Sequence, residues 1–160
     1  MEIDGNELIE VKIGALIMDP NTNTPIVVLK GIESETVLPI WVGAFEANAI
    51  ALEIEKIVPQ RPMTHDLLRN VIIECGLRAS RVIVTELLDN TFYAAVELSD
   101  DQDDLVTMDA RPSDAIALAL RLDCPIFVRQ SVLDLSARSH QPDAGDDIGP
   151  AVDDWPELIG

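Results

Sequence analysis

Hydrophobic and polar residues alternate at the start of the chain, as they do in half-buried strands. The alternation covers Leu8–Met18, and turn-forming residues at 20–25 separate it from the short apolar run Ile26–Leu29. This pattern predicts a β-hairpin. A third strand is predicted over Thr36–Val42. Because that strand contains Pro39, we expect it at a sheet edge or beside a bulge.

The spacing of apolar residues then changes to the period of a helix. Apolar residues recur at helical spacing from Phe45 to Val58, where Pro59 ends the pattern. A second helix is predicted to begin near Thr64 and to end at Gly76, a residue suited to a left-handed C-terminal position. The predicted buried face of this second helix comprises Leu67, Leu68, Val71, Ile72 and Cys75.

Alternating runs return in the second half of the chain. Val82–Leu88 and Thr91–Leu98 flank Asp89–Asn90, a pair that tolerates the positive dihedral angles of a tight hairpin turn. A short strand, a third helix and a last strand follow between residues 105 and 128. Strands clustered around helices, with hairpins instead of regular βαβ alternation, predict an α+β fold. We expect one largely antiparallel mixed sheet with about three helices packed on it.

Length and composition predict one soluble domain. The chain has 160 residues, of which 48% are hydrophobic, and it lacks an 18-residue apolar run of the kind that spans a membrane. Met1–Asp4 lacks the basic and apolar regions of a signal peptide, so the expected location is the cytoplasm. Residues 1–135 are assigned to the folded domain. Residues 136–160 are expected to form an acidic, mobile C-terminal tail.

The chain is strongly acidic. It has 29 Asp and Glu residues against 11 Lys and Arg residues, for a formal net charge of -18. A protein that holds nucleic acid through its phosphates normally presents clustered Lys and Arg. Two explanations stay open: divalent cations screen the carboxylates at a working site, or the surface is adapted to a salty cytoplasm. Loss of the fold in low salt and its recovery in molar salt would support the second explanation.

Two similar segments lead into helices, and they carry the candidate chemistry. Arg61-Pro62-Met63-Thr64-His65-Asp66 precedes one apolar run, and Arg111-Pro112-Ser113-Asp114 precedes another. In each helix-start segment an arginine and a proline come before a hydroxyl residue able to cap the first turn. A helix N-terminus also has free N–H groups and roughly half a positive charge, so an adjacent arginine makes a phosphate site plausible. Capping and anion binding are both open.

Four blocks of sequence follow one another in a distinctive order. They are Leu38–Gly43, Arg61–Leu68, Asp89–Ala94 and Asp109–Ala119. With these blocks in order over roughly residues 8–135, the chain resembles the bifunctional nuclease domain family. The resemblance implies a small α+β domain whose members are described as cleaving both RNA and DNA, and it brings no agreed set of catalytic residues. The chain departs from the family pattern at Asn90, where Gly is common, and in being more acidic than many members.

Hydrolysis of a phosphodiester needs an activated water, stabilisation of the phosphate charge and a proton for the leaving oxygen. The predicted catalytic residues are His65, Asp66 and Asp114. The predicted phosphate-binding residues are Arg61, Arg111, Thr64 and Ser113. The predicted ligands of Mg²⁺ or Mn²⁺ are Asp66, Asp109, Asp114 and Glu46. Trp41 and Tyr93 lie in strand patterns, where core packing is the default role and base stacking is the alternative.

Three hypotheses follow from these residues. The leading one is a metal-assisted nuclease that hydrolyses RNA and DNA with low sequence preference. Its rival is a non-enzymatic nucleotide-binding, anion-binding or protein-interaction module that uses the same helix-start segments. The third is structural, with Arg61 and Arg111 pairing with Asp66 and Asp114 within the fold or across a homodimer. An enzyme requires both segments to converge on one cleft, whereas a structural role leaves the arginines buried and fully paired.

Overall fold

A computed structural model describes residues 7–139 of the protein, and these residues form a mixed seven-stranded β-sheet and four helices. The strands are β1 (Leu8–Met18), β2 (Pro25–Gly31), β3 (Val37–Trp41), β4 (Arg78–Leu88), β5 (Thr91–Ser99), β6 (Leu105–Ala110) and β7 (Ile126–Arg129). The helices are α1 (Ala44–Ile54), α2 (Thr64–Glu74), α3 (Pro112–Leu122) and α4 (Gln130–Ser139). The predicted α+β class is confirmed, with one helix more than expected. None of the helices within these residues is long and apolar enough to cross a membrane.

The strand order in the sheet is β3-β2-β1-β7-β4-β5-β6, and among these described strands only β4 and β7 pair in parallel. Both predicted hairpins are present. The β4–β5 hairpin turns at Asp89 and Asn90, whose φ angles are 49° and 62°. Asp and Asn adopt this left-handed conformation more readily than most residues, which suits a two-residue turn. Pro39 lies in β3, which is an edge strand as expected.

The first helix is shorter than its apolar pattern predicts. Helix α1 ends at Ile54, and Lys56 has a left-handed conformation with a φ of 57°. As a result, Ile57 and Val58 lie outside the helix and are exposed. The apolar spacing gave no sign of this ending, because a left-handed residue that is not glycine has no sequence signature as strong as glycine's.

Helix α2 has the predicted start but not the predicted buried face. It begins at Thr64, and Gly76, with a φ of 77°, follows it. Ile72 is buried and Leu68 is half-buried. The members of the predicted face that are exposed are Leu67, Val71 and Cys75. Because α2 packs mainly against α3, it buries a narrower stripe than a helix lying flat on the sheet.

Helix α3 is the central helix of the core. It packs against α1, α2, β4 and β5, and small buried residues such as Ala115, Ala117 and Ala119 let these neighbours approach closely. Pro112 is its first residue, where the fixed φ of proline suits a helix. Arg111 before it is extended, with φ -70° and ψ 146°, as residues preceding proline usually are. Because α3 is packed on several sides, its first turn has a fixed position relative to α1, α2 and the sheet.

Helix α4 extends past the boundary that the sequence predicts at residue 135. It runs to Ser139, and its buried residues include Val132, Leu133 and Ser136. The helix packs against β4 and β7, so a few apolar residues are enough to hold a segment of otherwise polar composition. The remainder of the predicted tail lies outside the described residues.

Candidate active site

The two helix-start segments meet in one cleft. The cleft has a volume of about 600 Å³ and lies between the N-terminal parts of α1, α2 and α3 and the end of β6. The predicted site residues that line it are Glu46, Thr64, His65, Asp109, Arg111 and Asp114. Its volume is within the range of roughly 300–1,000 Å³ that is usual for ligand sites. The geometry that an enzyme requires is therefore present.

A continuous chain of hydrogen bonds crosses this cleft. His65 Nε2 lies 2.8 Å from Asp114 Oδ1, and Arg111 Nε donates to Asp114 Oδ2 at 2.8 Å. Arg111 Nη2 also donates to Glu46 Oε1 at 2.7 Å. The bonds to Asp114 and then to Glu46 raise the pKa of the Arg111 guanidinium, which stays charged. The chain joins the first turns of three helices.

His65 is the group best placed for proton transfer. Its side chain is 13% exposed, and its Nδ1 makes no hydrogen bond within residues 7–139. Because an ionised carboxylate only accepts hydrogen bonds, Asp114 favours the tautomer that carries the proton on Nε2. The neutral ring then presents the lone pair of Nδ1 as a base.

A buried arginine that is absent from the predicted site residues braces one side of the cleft. The side chain of Arg121 is 2% exposed, and its Nε donates to Asp66 Oδ1 at 2.7 Å. Its other two nitrogens donate to the carbonyl oxygens of Ala117 and Ala49 at 2.9 and 3.0 Å. Arg121 thus ties α3 to both α2 and α1. A cation inside the apolar run 115–122 was the available signal, because buried arginines are almost always paired.

Asp66 serves this brace and does not line the cleft. Its Oδ2 accepts a hydrogen bond from the Met63 N–H at 2.9 Å, and its Oδ1 accepts the bond from Arg121. Burial opposes ionisation of the Asp66 carboxyl, but these bonds from Met63 and Arg121 outweigh it and lower the pKa. Both oxygens are therefore engaged away from the other predicted catalytic residues.

We expect the ionised Asp66 to contribute stability that is lost in acid. Its pKa in the folded protein lies below the ordinary value of 3.8, so the contribution is complete above that value and disappears as the pH falls through the lower, folded pKa. Asp66→Asn removes this contribution and flattens the pH dependence of unfolding below about pH 4. Urea unfolding across this pH range measures the effect. Asp109→Asn, which removes an exposed carboxylate, is the control; equal curves for both variants would refute the assignment.

The two ion pairs of the structural hypothesis have different outcomes. Arg61 is exposed, does not line the cleft and makes no ion pair within residues 7–139, so the bridge to Asp66 that the structural hypothesis places within the fold does not form. The Arg111–Asp114 pair is confirmed, yet the Arg111 side chain is 66% exposed and is not the buried arginine that a structural role predicts.

The predicted hydroxyl caps are also wrong. The N-cap residues are Met63 for α2 and Arg111 for α3, and neither helix has a capping hydrogen bond from Thr64 or Ser113. Thr64 is the first residue inside α2, and Ser113 is the second residue inside α3. In α2 the Asp66 carboxylate, not a hydroxyl, satisfies the N-cap backbone.

The carboxylates predicted to bind Mg²⁺ or Mn²⁺ do not form a ready-made metal site. Glu46 and Asp114 accept hydrogen bonds from Arg111, Asp66 is engaged on both oxygens, and Asp109 is exposed at the end of β6. Residues 7–139 contain no group of three or more His, Cys, Asp or Glu side chains arranged to hold a metal ion. Mg²⁺ requires a nearly octahedral set of oxygen ligands. The present donor set does not fit it, and metal binding stays a prediction.

The sequence of the chain matches a known protein family. A family model described as the bifunctional nuclease domain matches residues 27–141, which is well over half of the chain and includes every member of the hydrogen-bonded chain from Glu46 to Asp114. The chain belongs to the bifunctional nuclease domain family. The resemblance carried by the four sequence blocks is thereby confirmed.

Relatives in the family include bacterial and plant proteins. An uncharacterised protein of Mycobacterium tuberculosis is 40% identical over 124 residues, which cover 78% of this chain and 73% of the relative. Proteins named bifunctional nuclease 2 from Oryza sativa subsp. japonica and Arabidopsis thaliana are 31% and 28% identical over 101 and 121 residues. These alignments cover 62% and 69% of this chain but only 31% and 37% of the plant proteins. The similarity to the plant proteins thus concerns one part of their length.

Proposed function

We propose that the protein is a phosphodiester hydrolase that acts on RNA and DNA with low sequence preference. One observation carries the proposal: the 2.8 Å contact between His65 and Asp114 joins the first turns of two helices inside the cleft, beside the exposed Arg111. Membership of the family and the names of the plant relatives support the same activity. Arg111 offers a charged donor to the phosphate backbone, which carries no sequence information, and this favours low sequence preference.

In the proposed reaction His65 is the general base. Its Nδ1 takes a proton from a water molecule as the water oxygen attacks phosphorus. The new bond between phosphorus and the water oxygen forms while the bond to the leaving oxygen breaks, and that oxygen takes a proton from the solvent-filled cleft. Asp114 stabilises the protonated ring and fixes its orientation through Nε2. Asp114 is therefore a positioning residue.

Arg111 holds the phosphate in this proposal. Its guanidinium keeps two fixed hydrogen bonds, to Asp114 and Glu46, while most of its surface stays exposed to a ligand. The cleft is also lined by Asp109, so three carboxylates face two arginines and a histidine. This balance weakens the attraction of a polyanion.

Asp114→Asn tests the proposal. The amide can donate to His65 Nε2 and so favours the wrong tautomer, and we expect the rate of cleavage to fall about 100-fold or more. The measurement is the initial rate of cleavage of labelled single-stranded RNA and duplex DNA with Mg²⁺, Mn²⁺ or EDTA, from low to molar salt. Asp134→Asn, an exposed carboxylate on α4, is the matched control.

Three outcomes of this experiment are informative. The hydrolase is supported if the wild type and Asp134→Asn both cleave the nucleic acids, whereas Asp114→Asn is folded but inactive. Equal rates in the wild type and Asp114→Asn contradict a site at this cleft. Binding of either nucleic acid without cleavage under any condition rejects the enzyme and favours the alternative, a nucleotide-binding module that uses the same helix-start segments.

A further inference from the structure

Arg111 also lines a second, smaller pocket. This pocket has a volume of about 250 Å³ and lies between the end of β3, the start of β5 and the first turn of α3. Gly43, the residue before α1, lines it too, so the N-terminal ends of two helices lie beside it. Drug-sized ligands need roughly 300–1,000 Å³. The pocket therefore suits one phosphate group with part of a nucleoside.

The charge of this pocket differs from that of the protein as a whole. Arg111 is the single charged residue among those that line it, and none of the lining residues is acidic. The neighbouring cleft, by contrast, is lined by three carboxylates, and the chain carries a net charge of -18. Arg111 is paired with Glu46 and Asp114, but neither carboxylate lines this pocket. The groups that do line it, a guanidinium and the first turn of α3, favour an anion.

Ser113 provides an unpaired polar group at the same place. The residue is 6% exposed, and its hydroxyl makes no hydrogen bond within residues 7–139. Buried hydroxyls normally have a partner. Among the described residues, the unpaired side-chain atom that is sealed from solvent is Arg129 Nε, so the Ser113 hydroxyl is accessible to solvent. Ser113 also lines the pocket. The N–H groups of Ser113 and Asp114 have no intrahelical acceptor and lie in the same turn.

We propose that this pocket binds a phosphate of the nucleic-acid strand next to the phosphate that is cleaved. Arg111 lines both the cleft and the pocket, so it lies between the two positions. Ser113 Oγ and the free N–H groups of the first turn of α3 donate to the second phosphate. This inference rests on the proposed function, because it states where the substrate strand lies relative to His65.

Trp41 gives the same pocket a surface for a base. Its ring is 42% exposed and lines the pocket, which differs from the core position that its strand pattern favours. Its Nε1 donates to Asp19 Oδ2 at 3.0 Å, which fixes the orientation of the ring. An oriented, partly exposed indole stacks on any base and needs no specific sequence.

Titration with inorganic phosphate, followed by the backbone amide signals in NMR spectra, tests the anion site. We expect saturable shifts at Ser113 and Asp114, and an affinity about tenfold lower in Ser113→Ala, because one hydrogen bond to a charged group is lost. Ser99→Ala, a buried serine at the opposite end of β5 from the pocket, is the control and keeps wild-type affinity. Unmoved amides, or equal affinity in Ser113→Ala and wild type, would overturn the inference.

A tetranucleotide of single-stranded DNA distinguishes a site for a nucleic-acid strand from a site for a free phosphate ion. It is added to the His65→Ala variant so that it is not cleaved. We expect it to displace inorganic phosphate from the same amides, and Trp41→Leu to weaken the tetranucleotide several-fold without changing phosphate affinity. Phosphate binding that the tetranucleotide does not displace contradicts a strand site. If phosphate binds at Ser113 but the wild type does not cleave nucleic acid, the anion site is upheld and the hydrolase is rejected. If the wild type cleaves nucleic acid but Ser113→Ala binds phosphate with unchanged affinity, the hydrolase is upheld and the anion site is rejected.

Discussion

His65→Ala is expected to lower the rate of cleavage by about 10²–10⁴-fold, the range usual for loss of a general base. The alanine variant keeps Asp114 and Arg111 in place, so phosphate binding persists while proton transfer fails. The free energy of unfolding is expected to change by no more than about 1 kcal/mol. Initial rates on labelled RNA and DNA, together with urea unfolding of each variant, measure both effects.

Two controls make the His65 result specific. His140→Ala changes the other histidine of the chain and is expected to keep the wild-type rate, which excludes a general effect of removing an imidazole. Added imidazole is expected to restore part of the activity of His65→Ala, because a small base can enter a cleft of about 600 Å³. An equal loss in both histidine variants, or no loss in either, would contradict the assigned role.

Arg121→Met is expected to lower the free energy of unfolding by about 3–5 kcal/mol, as removal of one partner of a buried ion pair usually does. Methionine keeps the apolar stem, but Asp66 loses its charged partner, and the carbonyl oxygens of Ala49 and Ala117 lose their donors. Urea or guanidinium unfolding followed by circular dichroism measures the change.

The matched control for Arg121 is another arginine in an ion pair. Arg81 pairs with Glu97 at 2.6 Å, but this pair is partly exposed, so Arg81→Met is expected to cost less than about 1 kcal/mol. Adding Asp66→Asn to Arg121→Met should cost less than the sum of the two single changes, since the unpaired charge is removed. Equal losses in the Arg121 and Arg81 variants would show that Arg121 is not a brace.

Elements defined by local signals could be predicted from the sequence. The turn at Asp89 and Asn90 and the stop at Gly76 depend on backbone angles that these residues favour, and both are present. The end of α1 could not be predicted, because Lys56 adopts its left-handed angle without a residue type that favours it. The buried face of α2 was misjudged because its pattern does not tell whether a helix lies on a sheet or on another helix.

The candidate site depends on side-chain pairs between residues that are far apart in sequence, and such pairs are not evident from the sequence. The helix-start segments were found because each is a short local motif, and the structure brings His65 to Asp114 across 49 positions of sequence. The structural hypothesis, by contrast, paired Asp66 with Arg61, five positions away, whereas the structure pairs Asp66 with Arg121, 55 positions away. That hypothesis paired charges that are close in sequence, because the spacing of residues along the chain does not indicate which helices pack against each other. The position of β7 between β1 and β4 was hidden in the same way.

The His65–Asp114 contact joins two helices that are anchored very unequally. Helix α3 is buried along most of its length, whereas α2 has one fully buried residue, Ile72, and depends on the brace from Arg121. Segments with few buried contacts open locally at a lower free energy than the whole domain. Opening of α2 separates the base from its carboxylate while the sheet stays intact. The fraction of molecules with α2 docked, which hydrogen exchange of its amides measures, therefore sets the upper limit on the catalytically competent population.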